Sequence, residues 1–111
     1  MAALLPGTLE MMILRTLAVE RMHGYAIAQH IARVSDHALL VEKGSLYPAL
    51  ERLQRNGWVT ARWAQSATGR RARYYSITAS GRRALGEQLS AFRETNEAIA
   101  RVLNPDLKPR T

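Results

Sequence analysis

Residues 44–81 read GSLYPALERLQRNGWVTARWAQSATGRRARYYSITASG, and this stretch decides the fold. Ser45 is a good N-cap for a helix whose Leu46, Leu50 and Leu53 recur at helical spacing. Pro48 is expected in its first turn, where no intrahelical N–H bond is lost. Asn56 and Gly57 end it, since both tolerate the left-handed conformation of a helix terminus. From Trp58 to Trp63 the pattern alternates, with Val59, Ala61 and Trp63 on one side and Thr60 and Arg62 on the other. Both tryptophans are expected to anchor this strand to the core. Gly69 permits a sharp turn, after which Arg73 to Ile77 alternates again, with Arg73, Tyr75 and Ile77 sharing a face. A helix followed by a β-hairpin with a basic tip is suited to gripping a nucleic-acid duplex.

The charge supports that reading. From Lys43 to Arg83 there are nine cations against one acid, Glu51, a net of +8, whereas the remaining residues carry seven cations and eight acids, a net of −1. So localised an excess marks one face, and nucleic acid is the polyanion that meets it. At 111 residues the chain has room for one domain, and its 47% hydrophobic content argues for a folded core over a disordered basic tail. Cysteine is absent, which removes disulfides, thiolate catalysis and thiolate-bound zinc and fits a reducing cytoplasm. No apolar run approaches the roughly 18 to 20 residues of a membrane span, so no membrane partner is expected. The apolar N-terminus is interrupted by acids and lacks a basic leader, and reads as a core helix.

Upstream of the decisive stretch, Thr8 is a plausible N-cap for a first helix running to about Val19, with Leu9, Met12, Ile13, Leu17 and Ala18 at helical spacing. His23 and Gly24 break the pattern, and a second helix follows from about Tyr25 to Val34. Downstream, Thr78 is a natural N-cap for a helix over 79–103, in which Gly81 is a minor cost. There Leu85, Leu89, Phe92, Asn96, Ile99 and Leu103 are spaced 4, 3, 4, 3, 4, a heptad seam. At about 1.5 Å per residue that helix would extend ~37 Å, further than a small core covers. Its surplus apolar face is expected to meet the same helix of a second subunit, with Asn96 fixing register. The residues after it, NPDLKPRT, read as a frayed tail.

Chemistry other than binding is not indicated. His23, His30 and His37 recur every seven residues, but two helical turns separate such positions by ~10 Å, so no two on one helix chelate a single ion. They read as surface or capping histidines. No phosphate-binding glycine loop, nucleophile elbow or paired carboxylates is present, so no catalysis, metal or cofactor is expected.

Three segments in this order, HGYAIAQHI, GSLYPALERLQRNGWV and GRRARYYSITASGRRAL, resemble the PadR family of bacterial winged-helix transcriptional regulators, across nearly the whole chain. The single C-terminal helix is similar to the smaller-sized branch of the family. The resemblance implies a mainly α fold with a small β-hairpin wing: a winged helix-turn-helix domain over 1–78, a C-terminal dimerisation helix over 79–103 and a flexible tail over 104–111. It implies a cytoplasmic homodimer that binds double-stranded, palindromic operator DNA as a repressor. In some members small molecules lodge at the dimer interface, where Phe92 and its apolar neighbours would line a cavity, though no residue pattern here assigns an effector. SATGRRAR is richer in arginine than the family pattern leads one to expect.

In such a motif the start of the third helix reads base edges, which places Lys43, Ser45, Tyr47 and Pro48 there, with Arg52 further along. At the wing, Gly69 shapes the tip while Arg70, Arg71, Arg73 and Tyr74 are candidates for phosphate or minor-groove contact. Leu85, Leu89, Phe92, Asn96, Ile99 and Leu103 are the expected dimer interface. Two rival readings share parts of this pattern. An RNA-binding winged helix has the charge but no need for the seam, and a protein-interaction module has the seam but no use for the basic face.

Overall fold

The computed structural model describes residues 7–104. Four helices and three short strands follow in the order α1 (Thr8–Leu17), β1 (Met22–His23), α2 (Gly24–Val34), α3 (Lys43–Arg55), β2 (Val59–Gln65), β3 (Arg71–Ile77) and α4 (Ala79–Leu103). The mainly helical architecture with a hairpin wing is the expected one. The six N-terminal residues, with Pro6, and the tail beyond Asn104 lie outside the described residues. Among those described, no helix is long and apolar enough to cross a membrane.

The core forms where the apolar stripes of α1, α2 and α3 converge. Ile13, Leu14, Ile27, Leu50 and Leu53 are wholly buried, with Leu17, Leu46 and Val59 almost so. At about 1.5–3 kcal/mol for each such side chain removed from water, this cluster is the main force holding the three helices together. Leu39 and Val41 of the connection to α3 pack against its edge. Tyr75 and Leu85 close it from the sheet and from α4.

Several local expectations are corrected. The N-cap of α1 is Gly7 at φ 84°, a left-handed position that suits glycine, and Thr8 is the first helical residue. Helix α3 begins earlier than expected: Glu42 precedes it in extended backbone, and its carbonyl accepts from Ser45 N–H (3.0 Å) and Leu46 N–H (2.9 Å). Ser45 therefore lies inside the helix, and Pro48 falls beyond the first turn. His23 does act as a cap: its Nδ1 accepts the Ala26 N–H at 3.1 Å.

A third strand went unforeseen. Met22 and His23 pair antiparallel with Tyr75 and Tyr74, giving the sheet order β1-β3-β2. Two residues carry no periodic signal, so only the tertiary fold reveals them.

One junction ties the hairpin to both neighbouring helices. Thr78 N–H donates to the Trp58 carbonyl at 2.9 Å, and its hydroxyl donates to the Gly57 carbonyl at 2.7 Å while accepting the Gly81 N–H at 3.0 Å. Gly81 is buried here because nothing larger fits. A Cβ would collide with the Trp58 carbonyl oxygen and stand 2.8 Å from Ile77 Cγ1. What reads as a minor helix defect is a packing requirement.

Two glycines of α4 therefore should respond with opposite sign to the same change. At Gly86 an added methyl group would meet nothing within 4 Å, so Gly86→Ala should stabilise by about 0.5–1 kcal/mol through helix propensity alone. Gly81→Ala should instead destabilise by about 1–3 kcal/mol through overpacking against backbone. Urea unfolding of the two variants decides the matter, and stabilisation by both would show that the junction yields freely.

Candidate nucleic-acid interface

On α3 the buried stripe of Leu46, Ala49, Leu50 and Leu53 turns the remaining residues outward. Lys43, Ser45, Tyr47 and Pro48 are all exposed at its N-terminal end, Tyr47 by 43%. Helical spacing then sorts the outward residues into two edges. Tyr47 and Gln54 face the hairpin, where they line a groove with Arg73 and Tyr75. Arg52 faces the other way.

The hairpin itself is held in place by register. Val59 stands opposite Ile77, Ala61 opposite Tyr75, and Trp63 opposite Arg73, so these pairs share one face of the sheet. Arg73 reaches Gln54 Oε1 at 3.2 Å, which stitches β3 to α3. Its guanidinium also lies 6.0 Å from the Tyr75 ring centroid. Burial pushes the Tyr75 hydroxyl above its usual pKa, with Arg73 opposing, so the tyrosine stays neutral under the cation. At the tip, Gly69 at φ 85° closes a turn in which Gly69 N–H donates to Ser66 O (2.9 Å) and Ser66 N–H donates to Arg70 O (2.7 Å).

The structure thus brings Tyr47, Arg70, Arg71 and Arg73 to one groove between α3 and the hairpin, of about 540 Å³, together with Trp63, Ser66 and Thr68. Three guanidiniums and five hydroxyl-bearing side chains, Tyr25 and Tyr75 among them, line this cleft and form a donor-rich surface of the kind that follows a phosphate backbone. Lys43, Ser45 and Pro48 continue the surface along the start of α3.

Tyr47 owes its position to Gly24. A Cβ on that residue would lie 2.7 Å from Tyr47 Oη and 2.9 Å from its Cε1, so the ring rests against bare backbone at the start of α2.

Two expected residues do not join the groove. The Arg52 guanidinium is held by Glu10 of α1, with Nε donating to Oε1 at 2.8 Å and Nη2 bonded to the same oxygen. It lines a separate cleft against Trp58 and Phe92. Tyr74 lies on the opposite face of the sheet from Arg73, edge-on to His23 at 5.4 Å and beneath the Arg21 guanidinium at 5.0 Å.

Trp63, expected in the core, is 61% exposed and belongs to the groove instead. The signal that could have found it was its position on a face shared with Arg73, beyond the last apolar pair. Ser66, Thr68 and Gln54 carried no such mark, since polar residues in a turn or on a helix read as solvated.

Along α4 the heptad positions divide by depth. Leu85 is buried in the domain's own core, and Leu89 and Phe92 are partly covered by it. Asn96 is exposed, as are Ile99 (45%), Val102 (78%) and Leu103 (72%). The side-chain oxygen of Gln88, on the same helix, is buried with no hydrogen-bond partner among the described residues.

This arrangement has counterparts among known proteins. Residues 13–87 match the family described as the transcriptional regulator PadR-like family. A transcriptional regulator of Mycobacterium tuberculosis is 35% identical over 82 residues, covering 74% of this chain and 73% of that one. A PadR-like transcription factor from Bacteroides fragilis superposes with a TM-score of 0.71 at 31% identity, covering 86% of this chain and 90% of that one. A PadR-like regulator from Bacillus cereus gives 0.75 at 26% identity, covering 88% and 93%. With the match to the family extending from α1 into α4, and the wing and third helix arranged as described, this chain belongs to the PadR-like family of transcriptional regulators.

Proposed function

We propose that the protein is a homodimeric repressor that binds an inverted-repeat operator. Each subunit sets the start of α3 into a major groove, with Lys43, Ser45, Tyr47 and Pro48 nearest the base edges. Arg70, Arg71 and Arg73 follow the adjacent phosphates, and Gly69 shapes the tip. Arg52 and Tyr74 are left out, being occupied elsewhere. The observation that carries this reading is the single groove shared by Tyr47 and the wing arginines.

The dimer is supported by α4. Ile99, Val102 and Leu103 stand exposed in sequence with the half-covered Leu89 and Phe92, and the unpartnered oxygen of Gln88 is costly to leave in one chain. Leu85 contributes to its own core and at most borders the interface. Two-fold symmetry relates the half-sites by about one helical turn, ~10 bp, or a multiple of it.

The decisive experiment is a fluorescence-anisotropy titration against DNA from upstream of the protein's own coding region, with a mixed-sequence duplex beside it, at several salt concentrations. Preference of about 10³-fold or more for the upstream DNA is expected. With six to ten cationic contacts per dimer, the log–log salt slope should be about −5 to −9. Arg70→Ala with Arg71→Ala should weaken binding to both duplexes and flatten the slope. No binding to either duplex would remove the regulator reading.

Gly24→Ala offers a finer test of Tyr47. The obstructed atoms belong to the end of an exposed side chain, so stability should change by less than about 1 kcal/mol. Displacing the ring should nevertheless weaken specific binding about tenfold while leaving non-specific binding nearly intact. Equal affinities for wild type and variant would take Tyr47 out of base reading.

For the dimer, Ile99→Asp with Leu103→Asp places charges in the seam. Sedimentation velocity should show a dimer for the wild type and a monomer for the variant. A monomeric wild type would refute the symmetric operator model.

A further inference from the structure

Trp63 is a side chain whose position packing alone does not account for. Its neighbours on the same face, Val59 and Tyr75, are 2% and 4% exposed, yet Trp63 is 61% exposed at the wall of the groove. Across the strand it faces Arg73, and the Arg71 guanidinium, on the diagonal, lies 5.7 Å from its ring centroid. The two arginines are held differently. Arg73 is tied to Gln54 and the Tyr75 ring. Arg71 makes no ion pair among the described residues, and its guanidinium lies over the indole within cation–π range.

We propose that Trp63 is a positioning residue for DNA binding: its indole holds Arg71 by one face so that the guanidinium edge is presented to a phosphate of the bound strand. The inference rests on the DNA-binding reading of the groove and adds a role which that reading does not contain. The geometry suits it because a guanidinium donates all its hydrogen bonds in its own plane. Stacking one face on a ring therefore leaves every N–H free for a phosphate. A free arginine side chain samples many rotamers, and the ring reduces that freedom before DNA arrives. The attraction between cation and ring also strengthens as the approaching strand excludes water.

The test is a double-mutant cycle on the full chain, with Trp63→Ala, Arg71→Ala, the double variant and Trp63→Phe titrated against a mixed-sequence duplex over a salt series. Because phosphate contacts are sequence-independent, no operator is needed. Trp63→Ala should weaken binding about three- to tenfold and reduce the salt slope by about one to two per dimer, with the thermal midpoint unchanged. The double variant should bind no more weakly than Arg71→Ala, and Trp63→Phe should recover most of the loss. Additive losses, or a Trp63→Ala slope equal to wild type, would overturn the proposal while leaving DNA binding intact. Failure of the wild type to bind the duplex would sink the DNA-binding reading itself.

Should Trp63→Ala not fold, the Trp58→Phe protein keeps Trp63 as its one tryptophan of the two in the chain. Iodide quenching of its emission should fall severalfold when the duplex is added. Undiminished quenching at saturating DNA would equally overturn the role.

Discussion

The hydrogen bonds of Thr78 are the constraint on which the rest of the molecule depends. Through one residue they join the end of α3 at Gly57, the start of β2 at Trp58 and the first turn of α4 at Gly81. All three partners are backbone groups; the Gly81 N–H is partly buried, so leaving it unpaired is costly, whereas the Gly57 carbonyl lies at the exposed rim of the junction. The absence of a side chain at Gly81 allows the approach of the Trp58 carbonyl, and the Trp58 side chain packs against the core. With this point secured, the hairpin has a fixed root and its tip can be aimed.

Aim then follows from two further ties. Arg73 to Gln54 sets the distance between wing and third helix, and Gly24 admits the Tyr47 ring against α2. The remaining cations of the groove carry no structural duty and are available to a ligand. The division is physically sensible: an exposed arginine loses little by waiting in water for a ligand. Arg52 is one that does not wait, although its side chain is itself half-exposed. It sits on the same helix as Tyr47 and looks equivalent in sequence, yet a half-turn of helix delivers it to Glu10.

What was legible in the chain is what has a period. The four helices, the bounds of α4 and the alternation of both hairpin strands follow from apolar spacing, and the Thr78 cap and the Gly69 turn follow from residue chemistry. What depends on approach between distant segments was not legible. Strand β1 is two residues long, the need for glycine at position 81 lies in a carbonyl 23 positions earlier, and Arg52 is bound by a residue 42 positions away. Ser45 misled for a different reason: it has the chemistry of a cap, but extended backbone at Glu42 starts the helix sooner. Trp63 misled because a large aromatic in an alternating strand is ordinarily core. The strand simply outruns the core, as its pairing with Arg73 reveals.

Helix α4 unites these ends of the molecule. Its first turn is pinned at the root of the wing, whereas its last apolar residues are free of the domain. Beyond Phe92, the last side chain packed against the core, about 16 Å of helix stands free as a lever, and a tilt of about 5° sweeps its end through ~1.4 Å. In the dimer proposed above, the angle between the two α4 helices would set the separation of the two reading heads, and the pitch of the DNA would be gauged by a helix that need not touch it.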